Sequence, residues 1–292
     1  MELDSPTLAE YTQVIVHEAD RLQALVDRLL ASREFSLFWR IKFGDLLQIT
    51  SARQTNGASN YQTWVDAQLV KNTPWDQMVT TLLTAVGDPA LKGNGPANYA
   101  VAPIDPKEQA EVTAQRFLGL RLRCAQCHDH PFDIWRQDDY FGLAACFAKV
   151  GFGMPGAAAA ARMGRPEIKV LPEGQVEHLR TKKPAAARML DGQPVQLPKD
   201  ADPRRALADW MTEPKNPFFA RAFANWTWAQ FFGKGIADPP DDLSRANPPV
   251  HPELLDALAR HFVERKYDIR DLIRLIATSE TSALDSAPIA GN

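Results

Sequence analysis

Apolar residues that recur at three- and four-residue steps run through most of this 292-residue chain, and that period confines it to packed helices. Between Thr7 and Leu30 the run is Leu8, Tyr11, Val14, Ile15, Leu22, Leu25, Val26, Leu29 and Leu30, with Ser5-Pro6 as the helix start. The same spacing predicts helices over residues 35–49, 61–70, 74–86 and 107–118, with a polar break at 50–59 and a Gly- and Pro-rich loop at 87–106. Thr73-Pro74 reads as an N-cap followed by proline at the first helical position.

Residues 151–202 depart from this regularity. Two short alternating segments, 167–170 and 176–179, flank Leu171-Pro172-Glu173-Gly174-Gln175 and form a candidate hairpin. The alanine run at 157–161 suits a short helix or a linker equally. Helical spacing returns at 204–212, 217–232, 252–265 and 268–279. Asp268 is placed to cap the last of these, and Pro252-Glu253 puts a proline and an acid in a first turn. The expected fold is all-α: an N-terminal helical module at 1–150, an irregular junction at 151–202 with a small β-hairpin, and a C-terminal helical module at 203–292.

Hydrophobic residues make up 45% of the chain, enough for a substantial core. A net charge of −3 and a pI near 6.1 give no general attraction to nucleic acid phosphates or anionic lipid. No apolar run reaches the length of a membrane span, and Met1-Glu2-Leu3-Asp4 lacks the basic and apolar regions of a signal peptide.

The chemistry concentrates in Cys124-Ala125-Gln126-Cys127-His128. Two thiols three residues apart with a histidine directly after them is the spacing that attaches a c-type haem, the sulfurs forming thioethers and the imidazole facing the iron. Other readings use the same residues. The thiols suit a zinc site with His128 or His130 and Cys146, although a second C-x-x-C is absent. A redox dithiol would sit at a strand-to-helix turn, and here a helical pattern precedes the motif. Cys146 lies in an apolar helical pattern and reads as a small buried side chain. Covalent haem attachment takes place outside the cytoplasmic membrane, so the haem reading predicts an exported protein whose start has been trimmed.

The sixth ligand would decide between an electron carrier and small-molecule chemistry. His251, in a Pro-rich turn, is the preferred distal candidate; Met154 and Met163 are weaker, and His130 is too close to His128 to reach the opposite face. His17, His178 and His261 read as surface or packing residues. Without haem, His128, His130, Asp133 and His251, with Asp241 and Asp242, are the ligand types of zinc or another divalent metal in a hydrolase or oxygenase. Asp241-Asp242 reads equally as a solvated turn. A third class is a carbohydrate-binding scaffold, invited by seven tryptophans. Trp64, Trp75, Trp210, Trp226 and Trp228 mostly fall at helical apolar positions that favour the core, while Trp135 follows the motif directly.

The run Phe117-Leu118-Gly119-Leu120-Arg121-Leu122-Arg123-Cys124-Ala125-Gln126-Cys127-His128-Asp129-His130-Pro131-Phe132-Asp133, with Asp138-Asp139-Tyr140-Phe141-Gly142 after it, resembles the planctomycete-type cytochrome c-like family, a pair of domains of unknown function. Asp202-Pro203-Arg204-Arg205, Asn216-Pro217-Phe218-Phe219-Ala220-Arg221, Phe232-Gly233-Lys234-Gly235 and Asn247-Pro248-Pro249-Val250-His251-Pro252-Glu253 are similar to the partner domain. The resemblance spans about residues 25–279 and implies a mostly helical, two-part, exported protein with haem-dependent redox chemistry and a redox partner or small molecule as its counterpart. The chain departs from the pattern at Trp226, which stands where the family has an arginine after Asn225, at 279–282 and at 33–38.

Overall fold

The computed structural model describes residues 5–283 except 55–56, 102, 104, 154–166, 196–197 and 199–200; for 5–15, 152–153 and 283 it describes the backbone alone. The periodic segments form helices α1 (Ser5–Ala31), α2 (Arg33–Leu46), α3 (Ser51–Gln54), α4 (Ala58–Lys71), α5 (Trp75–Thr84) and α6 (Pro106–Thr113). The helix α6 continues into a π-helical turn, Ala114–Leu118, and a 3-10 turn, Arg123–Gln126, precedes α7 (Gln137–Ala145). After the irregular segment come α8 (Pro203–Thr212), α9 (Phe219–Phe232), α10 (Pro252–Glu264), α11 (Ile269–Ala277) and α12 (Glu280–Ala283). The polar break holds α3, and the Gly/Pro loop holds a 3-10 turn, Gly95–Ala100. The chain is thus mostly helical, with one small antiparallel sheet among the described residues.

Local chemistry explains the helix starts. Asp105, Asp202 and Asp268 each accept a hydrogen bond from a backbone N–H in the first turn of α6, α8 and α11, and Ser32 does the same for α2. Asp268 therefore caps its helix as expected. Thr73-Pro74 is shifted by one residue: Pro74 is itself the cap, with extended ψ of 142°, and α5 begins at Trp75, whose N–H donates to the Tyr267 carbonyl at 3.0 Å. A contact from the far end of the chain decides that boundary.

The hairpin also has a different partner from the one expected. Strand β2 (Glu167–Val170) pairs antiparallel with β1 (Val150–Gly153), Val150 opposite Val170, rather than with 176–179. The Ile168 side chain is fully buried, and its backbone also exchanges hydrogen bonds of 2.8 and 3.0 Å with Gly87. Alternation marks a strand with one buried face but does not name its neighbour. Residues 176–178 instead hold 183–185 through short backbone contacts. The alanine run at 157–161 lies outside the described residues.

Helices from both ends of the chain enclose one aromatic core. Trp75, 1% exposed, stacks on Phe223 of α9 at 4.6 Å and meets Phe43 of α2 and Phe117 of the π-turn edge-on at 5.5 and 5.7 Å. Phe223 in turn stacks on Phe262 of α10 at 5.1 Å. Such pairs add about 0.5–1.5 kcal/mol each to the area they bury. Trp75 and Trp210 are buried, and Trp64, Trp226 and Trp228 pack against the core from its edge. No helix among the described residues is long and apolar enough to cross a membrane.

Candidate functional site

Cys124 sits on the 3-10 turn that leads from the π-turn into α7, and Cys127 follows directly as its C-cap, its N–H donating to the Cys124 carbonyl. In a 3-10 helix residues i and i+3 eclipse, so the x-x spacing puts Cys124 and Cys127 along one edge. Ala125, fully buried, faces the other way and roots the turn in the core, with Leu120 and Leu122 buried just before it. Both cysteines are free and exposed. Gln137, at the start of α7, donates from Nε2 to the Gln126 carbonyl at 3.1 Å and so holds the turn from below.

The two histidines are fixed in opposite tautomers by their surroundings. His128 Nδ1 lies 2.7 Å from the Asp129 carbonyl, which can only accept, so in the neutral ring Nδ1 carries the proton and the exposed side chain keeps a lone pair on Nε2. A backbone carbonyl on one ring nitrogen is the usual way a metal-binding imidazole is oriented. His130 is used locally: its Nδ1 accepts from Phe132 N–H at 3.3 Å, and its backbone N–H donates to the Trp135 carbonyl at 2.7 Å. Asp133 accepts from Ile134 N–H at 2.8 Å. This tight loop presents Phe132 and Ile134, 69% and 48% exposed, beside the motif. Trp135 anchors it, buried edge-on against Phe218 at 5.8 Å.

Beneath the turn, Tyr140 of α7 donates its hydroxyl to Glu111 of α6 at 2.6 Å. Burial pushes this phenol far above its usual range, and the carboxylates of Glu111 and Asp105 and the sulfur of Cys127 act in the same direction. On the other side, Arg121 pairs with Asp241 and reaches Asp242 at 3.6 Å. The Leu243 N–H donates to the Gly119 carbonyl at 2.7 Å. Gly119 has a φ of +66°, and a Cβ there would meet Leu243 Cγ at 2.9 Å, so both the turn and the close approach require glycine. Asp241-Asp242 thus lies at a partly exposed turn whose two carboxylates are ion-paired with Arg121.

The structure separates several residues that sequence reasoning grouped. Cys146 is fully buried on the helix side of the core, with its Sγ 3.7 Å from the Gly142 carbonyl, whereas Cys124 and Cys127 face solvent. Burial pushes its thiol up to about 12. His251 is exposed at the N-cap of α10 and makes no capping bond with its side chain. Among the described residues no three His, Cys, Asp or Glu side chains are grouped to hold a metal ion, so His128, His130, Asp133 and His251 are not brought into one cluster. Met154 and Met163 lie outside the described residues. His178 and His261 pack: His178 bonds Asp138 at 2.8 Å and lies against Phe141, and His261 bonds Asp271.

Sequence reasoning assigned no role to Arg121, Gln137, Tyr140 or Asn225. Buried Asn225 of α9 donates to the carbonyls of Ala237 and Pro240 at 2.8 and 3.2 Å and accepts from Ala237 N–H at 2.9 Å. It shapes the loop that carries Asp241 to Arg121. Its signals were a polar residue within a mostly apolar helix and its match to the asparagine of the family pattern.

The donor set at the turn, two accessible thiols on one edge and an imidazole with a free Nε2, fits the attachment chemistry of a c-type haem. A family model described as PSCyt2, protein of unknown function (DUF1549), matches residues 4–151. A second, PSD1, protein of unknown function (DUF1553), matches residues 203–290. No curated protein and no solved structure matches the chain significantly.

Proposed function

The chain belongs to the PSCyt2 (DUF1549) family, and from that premise we propose that it is a haem c-binding redox protein that transfers electrons through the C-x-x-C-H turn. Cys124 and Cys127 would hold the haem covalently, and His128 would present Nε2 to its iron. The observation that carries this reading is the His128 Nδ1 contact with the Asp129 carbonyl beside two free, exposed thiols. Bound there, the haem supplies one-electron chemistry. The protein's own contribution is to keep the turn rigid through Ala125 and Gln137 and to hold the imidazole in the ligating tautomer. The exposed placement suits exchange with a redox partner or a small molecule. An exported location follows from the same family resemblance and from the place where haem is attached.

The test is expression with an export signal and the haem-attachment machinery. A red protein whose haem survives denaturation, in mass and in pyridine haemochrome spectrum, is the expected result. A colourless protein with both thiols still titratable under those conditions would remove the proposal.

A further inference from the structure

Phe132 and Ile134 stand in water four and six positions after His128. They are 69% and 48% exposed, and between Leu91 and Leu179 they are the only large apolar side chains left so open among the described residues. Single apolar residues scattered over a surface need no explanation. Two in one short loop, directly after the thiols and the imidazole, do.

The exposure is built into the loop. The His130 N–H donates to the Trp135 carbonyl at 2.7 Å and closes it, the Phe132 N–H donates to His130 Nδ1 at 3.3 Å, and the Ile134 N–H donates to Asp133 at 2.8 Å. Pro131 fixes one more backbone angle. Trp135, 4% exposed, roots the far end in the core against Phe218. The loop thus spends its polar groups internally and turns apolar side chains outward. With Nδ1 accepting, the neutral His130 ring carries its proton on Nε2 and offers no lone pair to iron.

A planar group fastened at Cys124 and Cys127, with His128 on its iron, has this loop as its neighbour. Four residues of extended chain span at most about 14 Å, and the closed loop brings Phe132 nearer to His128 than that. Covering the two side chains is favourable in proportion to the apolar area removed from water. It also acts on the iron, because the ferric state carries one more positive charge than the ferrous and gains more from water. An apolar cover therefore raises the midpoint potential.

We propose that Phe132 and Ile134 form the apolar seat of the haem and, by keeping water from it, hold its midpoint potential up. This rests on the haem reading of the turn.

Spectroelectrochemical titration of the exported, haem-loaded chain tests it, after covalent haem per chain has been counted by pyridine haemochrome. Phe132→Ser and Ile134→Ser should load as the parent does. Together they should shift the ferric-to-ferrous ratio at fixed potential about tenfold toward ferric, a fall of about 59 mV in the midpoint of a one-electron couple. Phe132→Leu, which keeps an apolar side chain, should stay within about twofold of the parent ratio. Phe38→Ser, which removes a 53% exposed phenylalanine from α2, should leave the midpoint in place. Phe132→Ser should also lower the thermal midpoint of the loaded chain and leave that of the unloaded chain unchanged, since only the loaded chain covers the ring. A loaded parent whose potential is unmoved by both serine variants overturns the seat and leaves the haem reading standing. A shift matched by Phe38→Ser overturns it equally. A parent that carries no covalent haem removes both.

Discussion

Arg121 Nη2 lies 2.5 Å from Asp241 Oδ1, joining positions 120 residues apart across the seam of the two matched segments. The pair connects the strand of chain that enters the C-x-x-C-H turn with the loop shaped by Asn225. Both side chains are about two-fifths exposed, at 43% and 38%, so water screens the pair. A double-mutant cycle of Arg121→Ala and Asp241→Ala should give a coupling of about 0.2–1 kcal/mol in urea unfolding. A coupling well above that range would mean that the pair acts as a buried strut.

Asn225 is a different case, because it is buried and satisfies three backbone groups of the loop. Asn225→Ala leaves those groups without partners and should destabilise by about 2–5 kcal/mol. The urea midpoint should fall with the slope unchanged.

Thiol accessibility separates the three cysteines. Before haem attachment, a thiol reagent at about pH 8 should titrate two sulfurs in the native chain, Cys124 and Cys127, and three after denaturation. Three in the native state would contradict the burial of Cys146.

Stability at alkaline pH should carry the signature of Cys146. Its folded thiol sits at about 12 against an ordinary value of 9.0, because burial disfavours the thiolate. Between these values the unfolded chain has lost the proton that the folded chain keeps, so unfolding becomes easier as pH rises. The contribution is fully present below about pH 9 and declines by up to about 1.4 kcal/mol per pH unit toward 12. Cys146→Ala should flatten the pH dependence in that window relative to the parent chain.

Removing the attachment thiols should leave the fold alone. Cys124→Ser with Cys127→Ser should abolish covalent haem in exported protein, while far-UV circular dichroism and the thermal midpoint stay near those of the unloaded parent, since both side chains are exposed. Loss of folding in the double variant would show that the thiols have a packing role.

The sequence by itself determined most of the helices, the Asp268 cap and the close spacing of the two thiols. These depend on residues within a turn or two of one another: the apolar period, Asp268 beside Asp271, and Cys124 three positions before Cys127. Only the tertiary structure decided which strand faces β2, that α5 starts at Trp75, that Cys146 is sealed from the other cysteines, and that Asp241 meets Arg121 rather than His128. The reason is range: an antiparallel partner, a buried amide or an ion pair is chosen by packing between segments far apart in the chain, and no local period records which segments will meet.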